Sequence, residues 1–144
     1  MRPSKDEYYM GIAKAVSARS TCIRRQYGAV IVKDDVILST GYNGSARGDD
    51  NCCDTGTCWR EEHGVPHGEQ YEKCKAVHAE DNAISQAGRE TKGATLYLYG
   101  QEKGTEIDAE PCSMCWRKII NAQLSRVVSH RGEWRLGDEN SRIN

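Results

Sequence analysis

An α/β layered domain is the fold class this sequence predicts. β-Branched runs (GAVIVK at 28–33, VILST at 36–40, TLYLY at 95–99 and RVVS at 126–129) alternate with segments of helical periodicity. No internal repeat, low-complexity tract or linker divides the chain, so 1–144 reads as a single domain. Phe is absent, but 38% hydrophobic residues in 144 still suffice for a continuous core.

The elements follow in order. Ser4 precedes Glu7 at the spacing of a capping box, and Tyr8, Ile12 and Val16 recur every fourth residue, which predicts an amphipathic helix ending near Ser20. Two strands, Gly28–Lys33 and Val36–Thr40, flank Asp34-Asp35, the pattern of a hairpin with a tight polar turn. From Gly41 to Lys75 there are six Gly, one Pro, four Cys and two His with no sustained period, so this segment needs something besides a core to order it. Val77, Glu80, Ala83, Ile84 and Ala87 give a helix stopped by Gly88, and Thr95–Tyr99 a strand. Gln101–Glu110 reads as a loop. A second helix starts at Cys112 with Cys115, Trp116, Ile119 and Ile120 on its apolar stripe, Trp116 reading as core; Arg126–Ser129 is a strand and 131–144 a loose polar tail.

Charge and cysteine content narrow the function. Lys and Arg total 20 against 21 Asp and Glu, a net charge of −1, which argues against bulk nucleic acid or an anionic membrane as partner. No apolar run approaches membrane-spanning length, and Met1–Asp6 lacks the apolar segment of a secretory signal, so a cytoplasmic location is expected. Seven cysteines in a reducing compartment, an odd number, make metal binding the first explanation.

Two motifs carry chemistry: His78-Ala79-Glu80 and Pro111-Cys112-Ser113-Met114-Cys115. Cysteines three apart at a helix start project from one face, where unpaired backbone N–H groups favour the thiolate. With His78 they make a three-ligand set that leaves one tetrahedral position of Zn²⁺ open, as catalytic zinc sites do. Zinc brings the pKa of bound water to roughly 7, and Glu80, two residues from a ligand, is placed to carry protons. HxE followed by PCxxC is the known pattern of zinc nucleobase deaminases. A redox dithiol would leave His78 and Glu80 without a role, and a zinc-stabilised interaction module would need a fourth ligand.

From Ser17 to Val128 the chain resembles the deoxycytidylate (dCMP) deaminase family of the cytidine-deaminase-like superfamily. The resemblance is carried by SARSTCIRRQYGAVIV at 17–32, STGYNGSARG at 39–48, NCCD at 51–54, VHAEDNAI at 77–84 and PCSMCWRKIINA at 111–122. It implies a three-layer αβα domain with a central mixed sheet. It also implies hydrolysis of dCMP to dUMP and ammonia, supplying dUMP for thymidylate synthesis, with Glu80 catalytic and zinc on His78, Cys112 and Cys115. By the same resemblance Asn43 bonds the sugar hydroxyl. Arg24 first, then Arg25, is the candidate for the 5′-phosphate, since guanidinium suits phosphate. A second, structural zinc is expected on Cys22, Cys52, His67 and Cys74, with Cys53, Cys58 and His63 as competitors. A homo-oligomer, hexameric as in many members, is expected, with dCTP and dTTP as effectors, Mg²⁺ accompanying the nucleotide, and Tyr42, Gly44 and Arg89 tied to that control. Ala46 stands where the family usually has proline, and the 100–110 stretch is long enough to lie over the pocket. Glu110-Pro111-Cys112 is also similar to tRNA adenosine deaminases. Cytidine, a modified dCMP, guanine and tRNA adenosine therefore stand as alternative substrates.

Overall fold

The computed structural model describes residues 1–66 and 76–137. In chain order these form α1 (Lys5–Ser17), β1 (Gln26–Lys33), β2 (Val36–Tyr42), β3 (Gly44–Ser45), α2 (Cys52–Thr55), α3 (Trp59–Glu62), β4 (Ala76–Val77), α4 (Ala79–Ala87) and a 3₁₀ turn at Gly88–Thr91. Then come β5 (Thr95–Glu102), β6 (Thr105–Glu106), α5 (Ser113–Asn121), β7 (Arg126–Ser129) and β8 (Gly132–Arg135).

Six strands make one mixed sheet in the order β2-β1-β5-β7-β8, with β6 pairing β5. β5 and β7 are parallel and every other pair is antiparallel. Side chains on a strand alternate between faces. Val30, Val32, Tyr97, Tyr99 and Val128 pack under Tyr9 and Ala13 of α1, while Ala29, Ile31, Leu96, Leu98 and Val127 pack under Ala79 and Ala83 of α4 and Trp116 and Ile119 of α5. The expected three αβα layers are present. Burial on both faces is why β1 reads as a continuous apolar run instead of an alternating one.

Two glycines let the helices approach the sheet. A Cβ on Gly28 would stand 2.1 Å from the Ala13 carbonyl oxygen and 2.5 Å from the Ser17 nitrogen; one on Gly41 would stand 2.5 Å from the Ala79 carbonyl oxygen. The hairpin turn is a left-handed pair, Asp34 at φ 51° and Asp35 at φ 62°. Asp serves there because its carboxylate is used: Tyr9 donates its hydroxyl to Asp35 at 2.5 Å, and the Lys5 ammonium lies 3.1 Å away.

Several boundaries differ from expectation. Helix α1 ends at Ser17, short of Ser20, after which Ser17 and Thr21 turn the chain under β1 and Gly44. Val77 belongs to a short β3–β4 ladder and not to the helix, which starts only after His78. The 101–110 segment is not a plain loop: β5 runs on to Glu102 and folds back as β6, with positive φ at Lys103 and Gly104 making the turn. Part of the supposed tail is β8, held by Trp134, which meets Trp116 edge to face with ring centroids 5.5 Å apart. The remainder, 138–144, and the expected ligands His67 and Cys74 lie outside the described residues.

The glycine contacts give a paired expectation. Gly28→Ala should cost about 1–3 kcal/mol through overpacking against helix backbone. Gly11→Ala in α1, where a Cβ meets nothing within 4 Å, should stabilise by roughly 0.5–1 kcal/mol. Urea denaturation of the two variants reads both signs.

Candidate active site

The motif residues converge because two helices begin at one place. His78 is the N-cap of α4 and Cys112 the N-cap of α5, both with extended backbone and neither capped by its own side chain. Glu80 and Cys115 follow in the first turns. The uncapped N–H groups of both helices face the site, which favours anionic sulfur. Cys112 Sγ lies 3.5 Å and Cys115 Sγ 3.3 Å from His78 Nδ1.

The electrostatics fit that arrangement. A hydrogen bond from the Cys115 thiol, helped by His78 and the Cys115 backbone N–H, outweighs desolvation and holds the Cys112 thiol well below its usual range. Cys115, the donor of that bond and itself buried, is pushed up. The bond to Cys112 raises His78 against the effect of its burial. Glu80 is 5% exposed, and burial pushes its carboxyl above the usual carboxylate range despite its backbone hydrogen bond and the nearby His78. A carboxyl so displaced is better suited to take up and release a proton near neutral pH.

One imidazole nitrogen and two sulfurs lie within 4.8 Å of one another, and among the described residues no other group of three metal-type donors is so close. This borderline-soft trio of one nitrogen and two sulfurs, with a buried carboxyl beside it, suits Zn²⁺.

A pocket opens from this centre, walled by Tyr27, Asn43, Leu98 and Glu110 and reached by Arg24 and Arg60. Glu110 is the part of the 100–110 segment that lines it. Asn43, 8% exposed, braces the pocket wall. Its Oδ1 accepts from the Tyr27 N–H at 2.8 Å and the Ser20 hydroxyl at 2.7 Å, and its Nδ2 donates to the Arg25 carbonyl at 2.9 Å. One of its two amide N–H bonds is left for the pocket. Arg25 turns its Nε toward Glu102, 3.6 Å away, whereas the Nη1 of Arg24 is buried with no hydrogen-bond partner among the described residues.

Cys22, Cys52 and Cys58 also line the pocket; Cys53 is exposed, and His63 stacks on Trp59 with centroids 4.2 Å apart. Tyr42 ends β2, Gly44 is packed so that a Cβ would lie 2.4 Å from Thr21 Oγ1, and Arg89 is exposed on the 3₁₀ turn at the end of α4 away from His78. Sequence reasoning missed Arg60, which is buried and donates to the Pro66 carbonyl at 2.6 Å. It comes from an aperiodic stretch that gives no signal. Reasoning also missed Asp81 and Lys118, whose three-residue spacing from His78 and Cys115 was readable.

The comparisons with known proteins bear on this centre. A family model described as the cytidine and deoxycytidylate deaminase zinc-binding region matches residues 3–131. The chain belongs to this family. It is 38% identical over 129 residues to the deoxycytidylate deaminase of Schizosaccharomyces pombe, which covers 90% of this chain and 38% of that protein. It is 36% identical over 143 residues to that of Saccharomyces cerevisiae, spanning 99% of this chain and 42% of the relative. With the deoxycytidylate deaminase of Mycobacterium phage D29 it shares 42% identity over 133 residues, 88% of this chain and 94% of the phage protein. The chain thus spans about two fifths of the yeast relatives and nearly the whole of the phage one. Among solved structures, dCMP deaminase of cyanophage S-TIM5 in complex with dCMP and dUMP superposes with a TM-score of 0.63 at 28% identity, covering 90% of this chain and 82% of that one. Zinc is consistent with the family and with the His/Cys/Cys group.

Asn43→Ala should cost about 1–3 kcal/mol, since the part-buried Tyr27 N–H and Arg25 carbonyl lose their partner. Urea denaturation, run without any substrate, checks this; an unchanged midpoint would mean that the brace contributes nothing to folding.

Proposed function

We propose that this chain hydrolyses dCMP to dUMP and ammonia, supplying dUMP for thymidylate synthesis. The observation that carries the reading is the convergence of His78, Cys112 and Cys115 around the buried Glu80 at the floor of a pocket that Arg24 enters. The relatives named as deoxycytidylate deaminases and the cyanophage complex support the substrate.

His78, Cys112 and Cys115 would hold Zn²⁺, which when bound supplies Lewis acidity that makes water a nucleophile near neutral pH. The rest falls to the chain. The pocket shields the reacting carbon, C4 of cytosine, from bulk water on the Leu98 and Tyr27 side. The Glu80 carboxylate takes a proton from the attacking water and delivers it to the ring nitrogen N3; a second transfer releases the exocyclic amine as ammonia. The second Nδ2 hydrogen of Asn43 bonds the sugar hydroxyl, and the Nη1 of Arg24, without a hydrogen-bond partner among the described residues, takes the 5′-phosphate. A buried guanidinium nitrogen with no hydrogen-bond partner among the described residues favours a nucleotide over free cytidine or guanine, and the net charge of −1 weighs against tRNA adenosine.

The same proposal includes a second zinc on Cys22 and Cys52 with His67 and Cys74. It is supported by Cys22 and the buried Cys52 lining one pocket and by the Cys53 N–H donating to the Thr21 carbonyl at 2.9 Å, which ties α2 to the Cys22 segment. A cytoplasmic homo-oligomer, a hexamer by the resemblance, with dCTP and dTTP effectors and Mg²⁺ acting through Tyr42, Gly44 and Arg89, completes it. No helix among the described residues is long and apolar enough to cross a membrane.

Glu80→Ala should lower kcat roughly 10²–10⁴-fold while the zinc content measured on the same sample stays that of the parent, two ions per chain. Loss of the zinc along with the activity would make Glu80 a structural residue. Arg24→Ala should lower kcat/KM for dCMP by about tenfold or more while deoxycytidine turnover stays the same, a charged hydrogen bond being worth about 1.5–3 kcal/mol. Equal losses on both substrates would remove Arg24 from the phosphate.

A further inference from the structure

The two helices that carry the site are joined a second time, one turn further along. Asp81 stands three residues after His78 and Lys118 three after Cys115, so each shares a helix face with the donor before it. His78 Nδ1 lies 3.3 Å from Cys115 Sγ, and the Lys118 ammonium donates to Asp81 Oδ2 at 2.6 Å. The two contacts are successive rungs between helices that run in the same direction. The Asp81 side chain is 29% exposed and that of Lys118 49%, so the second rung closes the solvent side of the interface.

Beneath the rungs, α4 and α5 share an apolar cluster of Ala79, Ala83, Trp116 and Ile119. Apolar packing is non-directional and lets two helices slide by a fraction of a turn at little cost. A charged hydrogen bond has a narrow distance optimum and fixes that register. The donors of the centre come from both helices, His78 at the start of one and the two cysteines at the start of the other, so the spacing of His78 from the cysteines follows this register.

We propose that Asp81 and Lys118 are positioning residues whose bridge locks α4 against α5 and so holds His78, Cys112 and Cys115 at metal-binding spacing before an ion arrives. The inference rests on the reading that this trio takes zinc. It assigns the bridge no contact with substrate and no part in proton transfer. Its effect is to spare the incoming ion the work of ordering the two helices, and it is therefore read as affinity for metal.

The test uses the full chain stripped of metal, titrated with Zn²⁺ in competition with a chelating indicator and with Co²⁺ to record the thiolate-to-cobalt absorption. Asp81→Asn and Lys118→Met should each weaken Zn²⁺ binding about two- to fivefold, the range of a partly exposed ion pair. The double variant should bind no more weakly than the weaker single one, because both remove the same interaction. Lys118→Arg should restore parental affinity and the parental Co²⁺ spectrum. Affinities equal to the parent in both single variants, or losses that multiply in the double variant, would overturn the proposal. A Cys112→Ser, Cys115→Ser control identifies which of the two zinc sites is being read and separates the two readings: if that protein keeps both ions of the parent, the trio is not a metal site, whereas loss of one ion there with that site's affinity unaltered in the bridge variants sinks the clip alone.

Discussion

The parallel pairing of β5 with β7 is the constraint from which the centre follows. Each of these strands is entered from the helix before it, α4 and α5 respectively, so the two helices run alike and begin at the same end of the sheet. That end is the carboxyl edge of both strands, where open α/β sheets gather their ligands. An antiparallel β5–β7 pair would send the two helix starts to opposite edges and separate His78 from the cysteines. The imidazole, the two sulfurs and the buried carboxyl meet because one strand pair has the direction it has.

The same arrangement places an expensive set of groups in an apolar wall. Glu80 is buried next to Ala79, and the pocket continues into Leu98 and Tyr27, so the carboxyl has little water to support its charge. Uncapped helix N-termini offset part of that cost for sulfur, and the Glu80 backbone N–H offsets a part for the carboxyl that is too small to overcome burial. Such displaced groups gather where chemistry is done. The glycines at 28 and 41 serve the opposite purpose, giving tight backbone contact that secures the layers on which the centre rests.

How far the sequence could be read follows from what each segment uses for stability. Helices and strands buried on a face, α1, β1, β2, α4, β5, α5 and β7, announced themselves by period, and His78, Glu80, Cys112 and Cys115 by spacing at helix starts. The family resemblance then named the chemistry. What was missed depends on partners distant in the chain. β8 is polar at Glu133 and Arg135 and persists because Trp134 finds Trp116 and because Arg126 pairs with Glu133. β6 is a two-residue addition to β5 with no apolar pattern at all. The resemblance named Asn43 as a sugar contact, and only the fold shows its side chain also bracing the Arg25–Tyr27 backbone and the Ser20 hydroxyl. Arg60 sits in an aperiodic stretch and is buried through its bond to the Pro66 carbonyl, which no hydrophobic period encodes.

The strand β8 also bears on where this unit ends. The family match stops at residue 131, one residue before β8 begins, yet β8 supplies the outer hydrogen bonds of β7 and half of the Trp116–Trp134 contact. A chain cut at the family boundary would leave β7 as a bare sheet margin offering unsatisfied amides to any neighbouring molecule, an invitation to edge-to-edge self-association. The evolutionary module and the physical folding unit therefore do not coincide, and the few polar residues beyond the match act as the selvedge that keeps the sheet from fraying into its neighbours.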